Sequence, residues 1–180
     1  ERFTPEEIER SLRPNTRVFY LESPSSNIFR VLPLREIAAQ AHACGAVTVI
    51  DNTWATPLYQ KPLELGIDYS IHSATKYLGG HSDVLGGVVL GSEECMDALR
   101  GGQRASWGAC MDPFAAWLLI RSLRTLEVRM ARHSASADKV ARFLQEHPRV
   151  RSVCYPGLET DEGHTLAQTQ MTGYSGLMSF

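Results

Sequence analysis

No two cysteines of this chain lie close enough in sequence to share a metal ion or form a short redox loop. Cys44, Cys95, Cys110 and Cys154 are at least 15 positions apart, whereas such sites use spacings of two to four. They read as reduced thiols of a cytosol-like compartment, so a cytoplasmic protein is expected. His72 and His81, nine positions apart, do not have the spacing of a zinc pair on one helical turn, and no metal site is expected. No apolar run approaches the ~18 residues of a spanning helix, and no basic-then-apolar signal opens the chain, so no membrane partner is expected. Charge of one sign is also missing. Lys and Arg total 18 against 20 Asp and Glu, a net charge of −2, and without a basic run or an RNA-reading aromatic motif no nucleic-acid partner is expected. What remains is an ordinary globular composition, 43% hydrophobic and 21% charged over 180 residues, enough for one cored domain or one domain and part of another.

Taken in order, Pro5 to Leu12 reads as a short helix with Thr4 as N-cap and Glu6 and Glu7 in the first turn, where acids complement the helix dipole. Arg17 to Leu21 is a nearly continuous apolar run ending at Glu22-Ser23-Pro24, the pattern of a strand buried on both faces. Leu34, Ile37, Ala38 and Ala41 have helical spacing with Gly45 as the cap, and a second buried strand, Ala46 to Ile50, follows. Strand, helix and strand in this order form a crossover unit, which builds parallel sheet. Tyr59 to Leu65 reads as a further helical crossover, Tyr69 to Ser73 as a third strand, and Val84 to Leu90 as a fourth of undetermined direction. Ser92 caps a helix to about Leu99, and Asp112-Pro113 starts one long helix reaching Glu146, striped by Leu119, Leu123, Leu126, Met130, His133, Ala137, Val140 and Leu144. Val150 to Tyr155 and Gly173 to Phe180 read as strands of a following unit. The expected division is 1–130 as the core of a large domain and 131–180 as the end of the long helix and the start of a second.

In open α/β sheets ligands bind outside the carboxyl ends of the strands. Three such ends here carry Glu22, Asp51 and the run Ser73-Ala74-Thr75-Lys76. A lysine among hydroxyls and glycines, with a carboxylate from a neighbouring strand, matches what pyridoxal 5'-phosphate asks of a protein. It needs an amine for a Schiff base, an acid to keep the ring nitrogen protonated, and donors for the phosphate. The same four letters satisfy the Ser-x-x-Lys pattern of penicillin-binding hydrolases. Against that second reading, the run ends a strand, no Lys-Thr-Gly follows anywhere, and Ser82-Asp83 continues into Val84 rather than asparagine.

The strings Asp51-Asn52-Thr53-Trp54-Ala55-Thr56-Pro57 and Ser73-Ala74-Thr75-Lys76-Tyr77-Leu78-Gly79-Gly80-His81-Ser82-Asp83 resemble those of the Cys/Met-metabolism family of pyridoxal-phosphate enzymes. The resemblance extends through Arg121 to Leu126, Tyr155 to Leu158 and Ser175 to Phe180. It implies the type I pyridoxal-phosphate-dependent transferase-like fold, a mainly parallel sheet flanked by helices with the start of a smaller C-terminal domain. By position, Lys76 would be the Schiff-base lysine and proton shuttle, Asp51 the partner of the ring nitrogen, and Ser73 and Thr75 ligands of the phosphate. The implied partners are a small amino-acid substrate and further copies of the chain, a dimer of dimers.

Within that family, Trp54, Ser25-Ser26 and Thr172 to Leu177 resemble the pattern of lyases that cleave cystathionine by β-elimination, while His72-Ser73 resembles the γ-acting pattern. Family members continue on both sides of this segment. A start at Glu1-Arg2 without methionine agrees with that, and a catalytically incomplete fragment stands as the non-enzymatic alternative.

Overall fold

The computed structural model of the chain describes residues 5–180, so the expected N-cap at Thr4 lies outside the described residues. Helix α1 (Pro5–Ser11) precedes strand β1 (Val18–Glu22), followed by α2 (Leu34–Ala43), β2 (Val47–Asp51), α3 (Thr56–Tyr59), a 3-10 turn (Pro62–Leu65), β3 (Tyr69–Ser73) and β4 (Gly87–Gly91). Then come α4 (Glu93–Leu99), a π-helical segment (Arg100–Arg104), α5 (Ala105–Trp107), α6 (Pro113–Leu123), α7 (Leu126–Glu146) and α8 (His164–Gln170).

The four strands lie in the order β1-β2-β3-β4. The first three are parallel and β4 runs antiparallel to β3. The expected crossover units are therefore present, and the direction of the fourth strand is now fixed. Strand β4 begins at Gly87 because Gly86 is occupied with Thr75, whose N–H donates to the Gly86 carbonyl at 3.3 Å.

Register partners share a face of the sheet. Val18, Tyr20 and Glu22 stand opposite Val47, Val49 and Asp51, and Asp51 stands opposite Ile71. The other face, with Thr48, Ile50, Ser70 and His72, is covered, each of these residues being at most 3% exposed. There Ile50 packs with Leu34, Ala38, Leu65 and Ile67. The first face is open along β1, where Val18 is 53% and Tyr20 64% exposed. The expectation that the first two strands are buried on both faces is thus corrected. Strand β1 is one edge of the sheet, and Val18 and Tyr20 line an open cavity with Ile8, Leu12 and Ile28.

Two predicted helices divide. The Tyr59 to Leu65 crossover is split into α3 and the 3-10 turn, because Pro62 cannot donate to the ladder. The long helix from Pro113 breaks at Arg124-Thr125, where Thr125 has φ −107° and ψ 2°. There the Thr125 hydroxyl donates to the Ser122 carbonyl at 3.0 Å, an alternative to the helical ladder that threonine offers. The predicted cap starts hold. Ser92 accepts from the Cys95 N–H, and Asp112 accepts from the N–H groups of Phe114 and Ala115.

The predicted strands Val150–Tyr155 and Gly173–Phe180 do not form. They meet at one bridge only, between Cys154 and Ser179, because Asp161 Oδ2 takes the Tyr155 N–H at 3.0 Å and turns the chain away. Helix α8 was not expected, since its sequence HTLAQTQ is too polar to show a periodic stripe. Its Ala167 joins Phe29, Val31, Trp54, Ala137, Ala141, Tyr155, Leu158 and Met171 in one core cluster. The C-terminal segment therefore packs on the loop that follows β2. All four cysteines are free thiols, and no helix of the described residues is long and apolar enough to cross a membrane.

Candidate active site

The expected site residues sit at the carboxyl ends of β2 and β3. Asp51 is the last residue of β2 and Ser73 the last of β3, and both lie on the open face, half-buried. Beyond Asp51 the chain turns at once. Thr53 N–H donates to Asp51 Oδ1 at 2.9 Å, an Asx turn that fixes the carboxylate. The Thr53 hydroxyl in turn accepts from the Ser73 N–H at 2.8 Å. Thr53 thus ties the two strand ends together.

Lys76 follows on a helical turn. Its N–H donates to the Ser73 carbonyl at 3.1 Å and its own carbonyl accepts from Gly80 N–H at 2.7 Å. Ala74 and Leu78 bury the inner side of this turn against Leu119, Leu126 and Met130. The Lys76 side chain is exposed. Among the described residues no ion pair or hydrogen bond engages its ammonium group. The Ser73 hydroxyl is free in the same sense. The Thr75 hydroxyl is not, because it accepts from Gly86 N–H at 3.1 Å and lies 3.4 Å from the Gly86 carbonyl as donor. A free amine, a fixed carboxylate and a free hydroxyl at adjoining strand ends fit an aldehyde cofactor with a basic ring nitrogen and a phosphate. Thr75 already serves the loop that joins β3 to β4.

Residues that sequence reasoning did not single out support this edge. Asn52 and Gln60, each 1% exposed, bond to one another, Gln60 Nε2 donating to Asn52 Oδ1 at 2.9 Å. Gln60 Nε2 also donates to the Ser23 carbonyl at 2.8 Å, and Asn52 Nδ2 to the Gln60 carbonyl at 3.0 Å. The link joins the ends of β1 and β2. Gln60 carries no local signal in sequence, whereas Asn52 lies inside the Asp51 motif. Tyr20, on the open face, has its hydroxyl pKa raised by partial burial and then by the charges of Asp51 and Glu22. His72, on the covered face, has its pKa lowered by burial, with Asp51 opposing. Arg129, which no motif marked, donates to the Tyr77 carbonyl next to Lys76 at 2.7 Å.

Trp54, Thr172–Leu177 and Ser25-Ser26 were the details resembling β-eliminating lyases. The first two meet, with Trp54 Nε1 donating to the Leu177 carbonyl at 3.1 Å and its ring tilted on Phe29 and edge-on to Tyr155. Ser26 binds the Glu22 carboxylate through its N–H at 2.9 Å and its hydroxyl at 2.7 Å.

Known proteins resemble the chain over nearly its whole length. It is 44% identical over 97% of its length to a cystathionine gamma-lyase of Bacillus subtilis (strain 168), covering 46% of that protein. It is 43% identical to a cystathionine beta-lyase of Lactococcus lactis subsp. cremoris, again over 97% of this chain and 46% of the relative. The crystal structure of a cystathionine gamma-lyase from Lactobacillus plantarum complexed with L-serine superposes with a TM-score of 0.91 at 37% identity, over 95% of this chain and 45% of that one. These likenesses bear out the type I fold. The chain spans about half the length of the curated relatives it matches. The family model for Cys/Met metabolism PLP-dependent enzymes matches residues 1–180, and the chain belongs to that family.

Proposed function

We propose that the chain carries the cofactor-binding core of a pyridoxal-phosphate-dependent carbon–sulfur lyase, with cystathionine as substrate and β-elimination as the reaction. The observation that carries this reading is the unpaired Lys76 amine on a fixed turn, next to a strand end whose carboxylate, Asp51, is held by its own loop. When bound, pyridoxal phosphate supplies an electron sink for the charge left on the substrate α-carbon. Asp51 would hold a proton on the ring nitrogen. The Ser73 hydroxyl would donate to a phosphate oxygen, and Thr75 would keep the backbone beneath it in place through Gly86. The Lys76 amine would hold the cofactor and, when free, would take the substrate α-proton as a general base. The Cβ–S bond breaks, the thiolate leaves and is protonated to homocysteine, and the three-carbon remainder takes up one water to give pyruvate and ammonia.

The β-acting assignment rests on the sequence pattern of Trp54, Ser25-Ser26 and Thr172 to Leu177. The complete protein, loaded with pyridoxal phosphate and given cystathionine, is expected to release pyruvate and homocysteine. Cysteine with 2-oxobutyrate would overturn β-elimination and leave the lyase reading standing. Bound cofactor with neither product set would overturn cystathionine as the substrate, and the same assay on the 180-residue segment tests the incomplete-fragment alternative, which pyruvate release would overturn. Borohydride reduction followed by peptide mapping is expected to fix a pyridoxyl group on Lys76.

A further inference from the structure

One guanidinium spends its donors on the turn that carries Lys76. Arg129, in the first turn of α7, donates Nη1 to the Tyr77 carbonyl at 2.7 Å, Nη2 to the Ser122 carbonyl at 3.1 Å and Nε to the Thr125 hydroxyl at 3.1 Å. No carboxylate pairs with it among the described residues. Its counter-charge is the carbonyl end of two helical turns, which is where a cation is favoured. Ser122 belongs to the last turn of α6, and its carbonyl is where the junction converges, accepting also from the Thr125 N–H at 3.1 Å and the Thr125 hydroxyl at 3.0 Å.

The receiving side is shaped for that group. Gly80 has φ +72°, and a Cβ there would overlap the guanidinium of Arg129. The left-handed backbone and the missing side chain together make glycine the fitting residue. Tyr77 is held from α7 a second time, its ring 5.6 Å from that of His133. Its hydroxyl accepts from Gly176 N–H at 3.1 Å. The residue after Lys76 is thus fixed at both its carbonyl and its ring, while the Lys76 side chain itself is left free.

We propose that Arg129 is the positioning residue of Lys76. It anchors the Lys76–Gly80 turn to the α6–α7 junction, so that the amine meets the cofactor and the substrate α-proton at one place. This rests on the assignment of Lys76 made above. A displacement of about 1 Å in a reacting group can cost ~100-fold in rate. A guanidinium with fixed fork geometry restrains the turn better than a single flexible ammonium can.

The test uses the complete protein as Arg129→Met, Arg129→Lys and, as an independent variant that leaves the arginine in place but displaces it, Gly80→Ala. Four readouts are taken: kcat and KM, amide exchange along the chain, thermal midpoint, and the acylation rate of Lys76 in the cofactor-free protein relative to Lys61 and Lys139. Arg129→Met is expected to lose kcat by about 10- to 100-fold with KM changed little. Exchange should quicken at residues 76–80 before it does elsewhere, and the acylation rate should change at Lys76 but not at Lys61 or Lys139. Arg129→Lys should recover part of kcat, and Gly80→Ala should move every readout in the direction of Arg129→Met.

Unchanged kcat and unchanged Lys76 acylation in Arg129→Met would overturn the inference. So would a kcat loss that follows the thermal midpoint, with exchange raised throughout and no recovery in the lysine variant. If Arg129→Met does not fold, Gly80→Ala decides between the same outcomes. A parent protein that takes no pyridoxyl group on Lys76 would overturn the assignment of Lys76 instead, and the exchange and acylation readouts would still report on the anchor.

Discussion

Asn52 and Gln60 form a buried amide pair behind the site, Gln60 Nε2 to Asn52 Oδ1 at 2.9 Å, and each also bonds a backbone carbonyl of a neighbouring loop. Replacing Asn52 with leucine keeps the volume but takes away one of the two acceptors of Gln60 Nε2 and the side-chain donor to the Gln60 and Thr56 carbonyls. Each buried polar group left unpaired costs about 1–3 kcal/mol. Asn52→Leu is expected to lower unfolding free energy by roughly 2–4 kcal/mol, read as a lower urea midpoint with little change in m-value. A loss below about 0.5 kcal/mol, the scale of a surface substitution, would mean that the pair does not hold the strand ends.

Ser73 and Thr75 separate cofactor binding from loop stability. The free Ser73 hydroxyl supports nothing else, so Ser73→Ala should leave the unfolding midpoint within about 0.5 kcal/mol. It should weaken pyridoxal phosphate binding by roughly 10- to 100-fold, since a hydrogen bond to a charged group is worth about 1.5–3 kcal/mol. Thr75→Ala removes both links to Gly86, and should lower the midpoint as well. Equal effects of the two variants on both measurements would defeat the distinction. Fluorescence titration with the cofactor and urea denaturation check it.

The crossover units were legible because Leu34, Ile37, Ala38 and Ala41 keep helical spacing between two β-rich runs, and because glycine, serine and Asp-Pro signals mark where elements end. The placement of Asp51 and Ser73 at strand ends, with Lys76 on the turn that follows, was legible because the apolar runs stop there. What sequence did not disclose depends on partners distant along the chain. Tyr20 looks like a core residue until its place on the open face of an edge strand is known. The stripe through Leu123 and Leu126 is continuous in sequence, yet the Thr125 hydroxyl breaks the helix between them. Gln60 and Arg129 act through backbone carbonyls 37 and 52 residues away, and no local pattern encodes such a bond.

Trp54→Phe keeps an aromatic ring in the cluster with Phe29 and Tyr155 but removes the donor to the Leu177 carbonyl. The expected cost is about 1 kcal/mol. Because the lost bond secures the last segment, amide exchange at 174–180 should rise more than exchange in the sheet. Uniform acceleration across the chain would show instead that the indole acts through packing alone.

A buried histidine and a half-buried aspartate give the fold two separate acid sensitivities. His72 has its pKa lowered from the ordinary 6.5 by burial, with Asp51 opposing, so the unfolded chain takes up a proton that the folded one resists. Stability then falls as pH drops below about 6.5. Asp68 behaves differently at lower pH. Burial raises its pKa, but the Thr48 N–H, the His42 ring and the Thr48 hydroxyl outweigh that and bring it below the ordinary 3.8. Its contribution is present above about pH 3.8 and is lost as pH falls through the lower folded value. Urea midpoints measured against pH are therefore expected to decline in two stages. His72→Asn should flatten the stage between about pH 7 and 5, while Asp68→Asn should flatten only the stage below about pH 4. A single slope removed entirely by the Asp68 variant would mean that His72 is not held neutral by its buried place on the covered face of β3.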